Sequence, residues 1–206
     1  MKEALKVVVW LIVIGAIVVF VLQKYFVARA TAVDEGMAPT ILSGDEVAVW
    51  KHATPAIGNI FLCVAPDDGS LIMGHVVGKP GMTVEEKRGN FFLSGEPIAT
   101  TVSRTLDFYD TDLDVAVNVE MGIAEYANVH QPFFRQPGDA TSFAPVTVPP
   151  GHIYLLGANW ASEHHDSRFH GTVPISACIG QVFVRLKPAD DHGADLGHGY
   201  LDGFLY

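Results

Sequence analysis

The chain has 206 residues, a net charge of −10 and 49% hydrophobic residues. That length supports one sizeable domain with its own core. An acidic balance without a basic cluster argues against nucleic acid as a partner, and by itself it names no other.

Val7 to Leu22 is an unbroken apolar run, a little short of the roughly 20 residues that cross a bilayer. Leu5 and Tyr25-Phe26-Val27 extend it when Lys6 and Lys24 reach back to the interfaces. The pattern predicts a transmembrane anchor over residues 5–27 behind a short N-terminus of residues 1–4. Ala28-Arg29-Ala30 and Ala30-Thr31-Ala32 resemble the small-x-small cleavage sites of signal peptides. The apolar run is longer than a usual h-region, however, and a stretch carrying Lys24 and Arg29 follows it. The expectation is an uncleaved anchor. Lys2 and Lys6 before the span nearly balance Lys24 and Arg29 after it, so orientation is weakly encoded.

Beyond the anchor, short alternating runs predict strands at Glu46–Trp50, Ile60–Val64, Leu71–Val77, Asn90–Leu93, His152–Leu156 and Gly180–Leu186. Asp68-Gly69, Pro80-Gly81, Gly89-Asn90 and Pro150-Gly151 mark turns between them. With no comparable helical periodicity outside the anchor, the fold class is mostly β. Residues 99–148 are the least regular stretch and read as a variable insert. Asp107, Asp110, Asp112 and Asp114 there lack the glycine and terminal glutamate of an EF-hand loop, so a solvated acidic loop is expected rather than a calcium site. Cys63 and Cys178 each sit in an apolar run. Two separate buried thiols is the simpler reading, and in an oxidising compartment the two could pair. Residues 188–206 read as a C-terminal tail, a Gly/Asp linker ending in aromatics.

Gly36-Met37-Ala38-Pro39-Thr40, just past the anchor, resembles the serine box of type I signal peptidases, Ser-Met-x-Pro-Thr. Gly44-Asp45 with the apolar residues after Glu46 is similar to the next strand box, and Gly58-Asn59-Ile60 to Gly-Asp-Ile/Val. Gly74-His75-Val76-Val77-Gly78-Lys79-Pro80-Gly81 resembles the lysine box, Lys-Arg-Val-Val-Gly-Leu-Pro-Gly. Gly157-Ala158-Asn159 and Asp166-Ser167-Arg168 with Gly171 resemble the last box, Gly-Asp-Asn…Asp-Ser-Arg-x-x-Gly. The resemblance runs from the anchor to about Lys187. It implies a signal-peptidase-like folded β-sheet domain over 30–187, carried on a single N-terminal transmembrane helix. It also implies an N-terminus in the cytoplasm and the bulk on the outer, periplasmic side of the cell inner membrane.

The departures fall where that family does its chemistry, a serine attacking the carbonyl after a neutral lysine takes its proton. The serine position is Gly36 and the lysine position is Gly74. The family's oxyanion donor, a serine two residues before the nucleophile, is Asp34, whose carboxylate repels a developing oxyanion. The aspartate of the last box is Ala158, and a serine expected two before Asp166 is His164. No catalytic residue is therefore assigned. His75 is the candidate replacement base, since one branch of the family uses histidine; strand alternation turns it away from Gly74, towards the Asp166–Arg168 segment. Met37, Pro39, His75, Val76, Val77, Asp166, Ser167 and Arg168 are the positions expected at or beneath the substrate groove or in its support. His164, His165, Asp166 and His170 lie close together, with His75 as a possible neighbour, but in no standard zinc spacing. No metal and no other cofactor is expected.

Two functions of different class follow. One is a pseudoenzyme, a membrane protein binding an extended peptide segment or a protein partner as part of an envelope complex. The other is a divergent signal peptidase with relocated catalytic groups. Cleavage of a preprotein separates them.

Overall fold

The structure, a computed structural model, describes residues 2–161 and 165–189; His164 and the tail from 190 onward lie outside the described residues. Helix α1 spans Lys2–Val21, and one π-helical turn, Leu22–Phe26, carries it straight into strand β1, Val27–Thr31. Trp10, Leu11, Ile12 and Phe20 are all largely exposed. A helix that is apolar on every side and buried by none of the described residues has the make-up of a bilayer span. Lys6–Phe26 is long and apolar enough to cross one.

The remaining strands are β2 Glu46–Trp50, β3 Ile60–Val64, β4 Leu71–Gly78, β5 Thr83–Lys87, β6 Asn90–Leu93, β7 Glu96–Pro97, β8 Ala99–Asp110, β9 Val115–Tyr126, β10 Val129–Arg135, β11 Phe143–Thr147, β12 His152–Leu156, β13 Val173–Pro174 and β14 Cys178–Lys187. A short helix, α2, covers Ser167–His170. One sheet has seven strands in the order β1-β2-β14-β3-β4-β12-β13; the others are β11-β5-β6-β7 and β10-β9-β8. The mostly β expectation holds.

Alternation along β3 and β4 gives the main sheet two different faces. Ile60, Leu62 and Met73 pack with Met37, Ile41 and Val47 on one. Phe61, Cys63, Ile72 and Val76 pack with Ile153 and Leu155 on the other. Val77 belongs to a third cluster with Tyr154, Phe91, Phe133 and Trp160. Register against β12 shifts beside it: Tyr154 pairs with Gly78, but Leu155 pairs with Val76. Such a bulge turns the strand.

Two sequence expectations change here. Residues 99–148 are not an irregular insert. β8 and β9 form a long antiparallel hairpin with partners from Ala99↔Glu125 to Asp110↔Val115, and β10 completes its sheet. Nor are the cysteines separate thiols. Cys63 and Cys178 are cross-strand partners on β3 and β14 and form a disulfide.

Candidate functional site

The loop after β1 carries the residues that match the serine box. Its ends are held by backbone bonds from Ala32 N–H to Asp45 O and from Gly44 N–H to Ala32 O, each 2.9 Å. Within it the Asp34 carboxylate accepts the Gly36 N–H at 3.1 Å, an Asx turn. That N–H belongs to the first residue of the segment resembling the serine box, and a backbone donor of this kind can meet a developing oxyanion. Here it is already bonded to a carboxylate. The Gly36 carbonyl accepts the Asn159 N–H at 2.9 Å. It lies so close to Gly157 that a Cβ there would collide with it, so residue 157 has to be glycine for this approach.

Glu35 is wholly buried and is the anchor of the loop. Its carboxylate accepts the Ser43 N–H at 3.2 Å and the Thr111 hydroxyl at 2.7 Å, and its N–H donates to the Asp112 carboxylate at 2.6 Å. The tip of the β8–β9 hairpin is thus latched onto the serine-box loop. Asp110, buried, shapes that tip by accepting the Asp112 and Leu113 N–H groups. A solvated acidic loop was expected; the structure gives these carboxylates structural partners. Behind the loop, Asp45 and Arg185 form a buried ion pair at 3.6 Å. Asp45 also accepts the Leu42 N–H.

Asp34, Val33, Leu71, Asp112, Leu113 and His165 line a cavity of about 530 Å³. A small recess beside it is formed by Ala32, Asp34, Met37, Leu62 and Met73. Of the residues expected near the groove, Met37 lines this recess. Pro39 is buried, and Val76 and Val77 belong to core clusters.

The lysine-box strand is turned the other way from the sequence expectation. Gly74 pairs with Phe61, and His75 pairs with Ile60. Cross-strand partners share a face, so Gly74 faces the Phe61–Leu155 cluster while His75 shares the Met73–Met37 face. A Cβ at Gly74 would lie 3.0 Å from Leu155 Cβ and 3.1 Å from the Leu156 backbone. A side chain at this position would begin in tight contact with strand β12. His75 is buried, its Nδ1–H donates to Gly58 O at 3.1 Å, and its Nε2 has no hydrogen-bond partner among the described residues. It therefore bonds neither to the Asp166 segment nor to Asp34. Burial pushes its pKa down to about 4 against a smaller upward pull from the Gly58 bond, which keeps the ring neutral.

Asp166, Ser167 and Arg168 stitch β12 to the segment that follows it. Asp166 caps α2 by accepting the Arg168 N–H at 2.8 Å, and it also accepts the Gly157 N–H at 2.9 Å. Ser167 accepts the Leu155 N–H at 2.9 Å, and Arg168 donates to Asn159 O at 3.1 Å. Burial opposes the Arg168 charge, but the Asp166 carboxylate 3.0 Å away outweighs it and holds the pKa above its usual value. Ala158 is buried and contributes its carbonyl to Phe134 N–H. His165 and His170 meet Asp67 and Asp68 of the β3–β4 turn.

The profile of the signal peptidase family, peptidase S26, matches residues 4–187. The chain belongs to that family. This signal peptidase relative is 25% identical over 191 residues to a "Probable signal peptidase I-1" from Synechocystis sp., covering 86% of this chain and 81% of that protein. It is 22% identical over 190 residues to an "Inactive signal peptidase IA" from Staphylococcus aureus, covering 91% and 94%. A crystal structure of a signal peptidase I from Enterococcus faecalis V583 aligns at 21% identity with a TM-score of 0.37, over 63% of this chain and 97% of that one. Family membership and the apolar N-terminal helix together describe a membrane-anchored signal peptidase I-like protein.

Sequence reasoning missed Glu35, Thr111 and Asp112, which come together only through a hairpin closing over more than 70 residues. The one signal was local: Leu106, Phe108 and Asp110 alternate as a strand does.

Proposed function

We propose that this signal peptidase relative does not cleave peptides. It acts as a membrane-anchored binding protein that takes an extended segment or a protein partner against its groove, as a subunit of an envelope complex. The observation that carries this reading is the pair Gly36 and Asp34: position 36 has no hydroxyl, and its N–H is held by a carboxylate. A peptide carbonyl arriving there meets neither a nucleophile nor an open donor, and a fixed negative charge opposes the oxyanion. No amine stands at Gly74, and His75 faces the groove side neutral but bonded to Gly58. The Staphylococcus aureus relative named as inactive is in keeping with this reading.

The groove remains suited to binding. Val33, Leu71 and Leu113 give it apolar walls and Asp34 and Asp112 give it acidic ones, which favours a segment with a basic residue among apolar ones. The Cys63–Cys178 bond supports a domain on the outer, periplasmic side of the inner membrane, where disulfides persist, with the N-terminus in the cytoplasm.

The test is cleavage of a preprotein by the full chain in detergent. No product above a no-protein control is expected. Gly36→Ser with Gly74→Lys is expected not to restore cleavage, because the new lysine is driven against β12 and Asp34 still opposes the oxyanion. Turnover by the wild type that is lost on Asp34→Ala or His75→Gln would overturn the proposal and identify a rebuilt acid–base site.

A further inference from the structure

The β3–β4 turn, Pro66 to Ser70, brings two aspartates against the end of the β12–α2 segment. His165 Nδ1 and His170 Nε2 lie 3.1 Å apart. Asp68 completes the group: one ligand atom from each of the three residues lies within 4.8 Å of the other two. The sequence spacing hides this set, because the carboxylate comes from nearly 100 residues upstream of the histidines.

Three features make the cluster more than a surface ion pair. The first is the nitrogen separation. Two imidazole nitrogens about 2.0–2.1 Å from a tetrahedral zinc ion are roughly 3.3 Å apart, close to the distance found between His165 and His170. The second is the orientation of His170. Its Nδ1 is 2.7 Å from the Asp67 carboxylate, and the ring is buried. A histidine that ligates metal through one nitrogen ordinarily donates the other N–H to a carboxylate, which fixes the tautomer and aims the lone pair. Asp67 does this for His170, leaving Nε2 towards His165. The third is the proton economy of the contact. Two ring nitrogens this close share one proton between them, and a divalent cation can take that proton's place. Asp68 accepts the Ser70 N–H at 2.8 Å and is exposed at the turn tip. His165 is also exposed and leaves a coordination position open to water or to a ligand in the adjoining cavity, which it helps to line together with Asp34.

The geometry points to a zinc site formed by Asp68, His165 and His170, with Asp67 as the residue that orients His170, at one end of the groove. The donor set, two imidazoles and a carboxylate, suits zinc and excludes calcium or magnesium, which take oxygen ligands. Occupancy ties the β3–β4 turn to the segment leading into α2, and so fixes one wall of the groove. This inference is independent of whether the groove cleaves or only binds.

The experiment uses the full chain in detergent, stripped of metal, with Co²⁺ as the visible-absorbing stand-in and Zn²⁺ as competitor. The expected result is one equivalent of four-coordinate Co²⁺, displaced stoichiometrically by Zn²⁺, with a rise in Tm on Zn²⁺ addition. His165→Ala and Asp68→Ala, both at exposed side chains, should abolish binding while leaving the metal-free Tm as in the wild type. Asp67→Asn should keep the site but weaken it by about tenfold or more, as outer-shell substitutions do. His192→Ala with His198→Ala, in the tail, should leave binding intact. Absence of stoichiometric binding overturns the inference. So does binding that survives both His165→Ala and Asp68→Ala, or binding that disappears with the tail histidines instead.

Discussion

Gly36, Gly74 and His75 depart from the signal peptidase boxes they resemble in ways that can be separated physically. At Gly36 the deficit is chemical, since no rearrangement gives glycine a nucleophile. At Gly74 it is steric, because β12 stands 3.0–3.1 Å from where a side chain would begin. At His75 it is electrostatic. A neutral buried imidazole with one bonded and one bare nitrogen resists protonation, and that resistance has a stability signature. The folded-state pKa is about 4 and the unfolded value about 6.5. Between those values the unfolded chain binds a proton that the folded chain does not. Stability contributed by neutral His75 is therefore complete above about pH 6.5 and falls as pH drops towards 4, by roughly 3 kcal/mol across the window. Denaturant unfolding between these pH values should show the loss in the wild type and a shallower slope in His75→Gln. Equal slopes in the two proteins would show that the ring is protonated in the fold.

Strands were legible where at least one face is apolar and buried. β2, β3, β6 and β12 have the bounds that alternation and turn residues predict, because a strand within a core must be written in apolar residues. β8 and β9 were not, because much of each is exposed: Ala99 to Thr105 carries Thr, Ser and Arg with almost nothing buried, and Val115, Ala116 and Asn118 are exposed too. Polar, exposed strands and polar loops have similar compositions, and only the pairing distinguishes them. The disulfide was ambiguous for a related reason. An apolar run places a cysteine in the core but does not say which strand lies alongside, and β14 reaches β3 from the far end of the chain. The bond closes a separation of 115 residues. Loops of that length confine the unfolded chain strongly, and loss of such a bond typically costs about 2–5 kcal/mol. Reduction, or Cys63→Ser with Cys178→Ser, should lower the unfolding midpoint by a corresponding amount. A midpoint unmoved by reductant would show that the thiols do not pair. The His75 face was misread by one step because the alternation was counted from Gly74 as a groove residue, whereas the Phe61↔Gly74 pairing puts Gly74 against β12.

At the scale of the whole molecule, the anchor and the domain are one continuous element. The alanines that resemble a cleavage site are in β1, where Ala28 pairs with Val49 and Ala30 with Val47. Cutting after Ala30 or Ala32 would strip the edge strand from the main sheet and expose β2. The mature protein should therefore keep α1, and intact-mass measurement of membrane-extracted protein should place its N-terminus upstream of Ala28; a mature chain starting at Thr31 or Val33 would refute this.

The junction that follows α1 also sets a distance. Phe26 stacks on Trp50 with ring centroids 5.5 Å apart, its carbonyl accepts the Lys51 N–H at 2.9 Å, and Lys51 Nζ donates to Lys24 O at 3.1 Å. No slack chain intervenes between the end of the apolar helix and the sheet. Asp34 lies eight positions after Phe26, so the acidic end of the groove stands at most about 29 Å from the end of the apolar helix. The anchor acts as a ruler rather than a tether: it holds the acidic end of the groove within a fixed height of the end of the apolar helix.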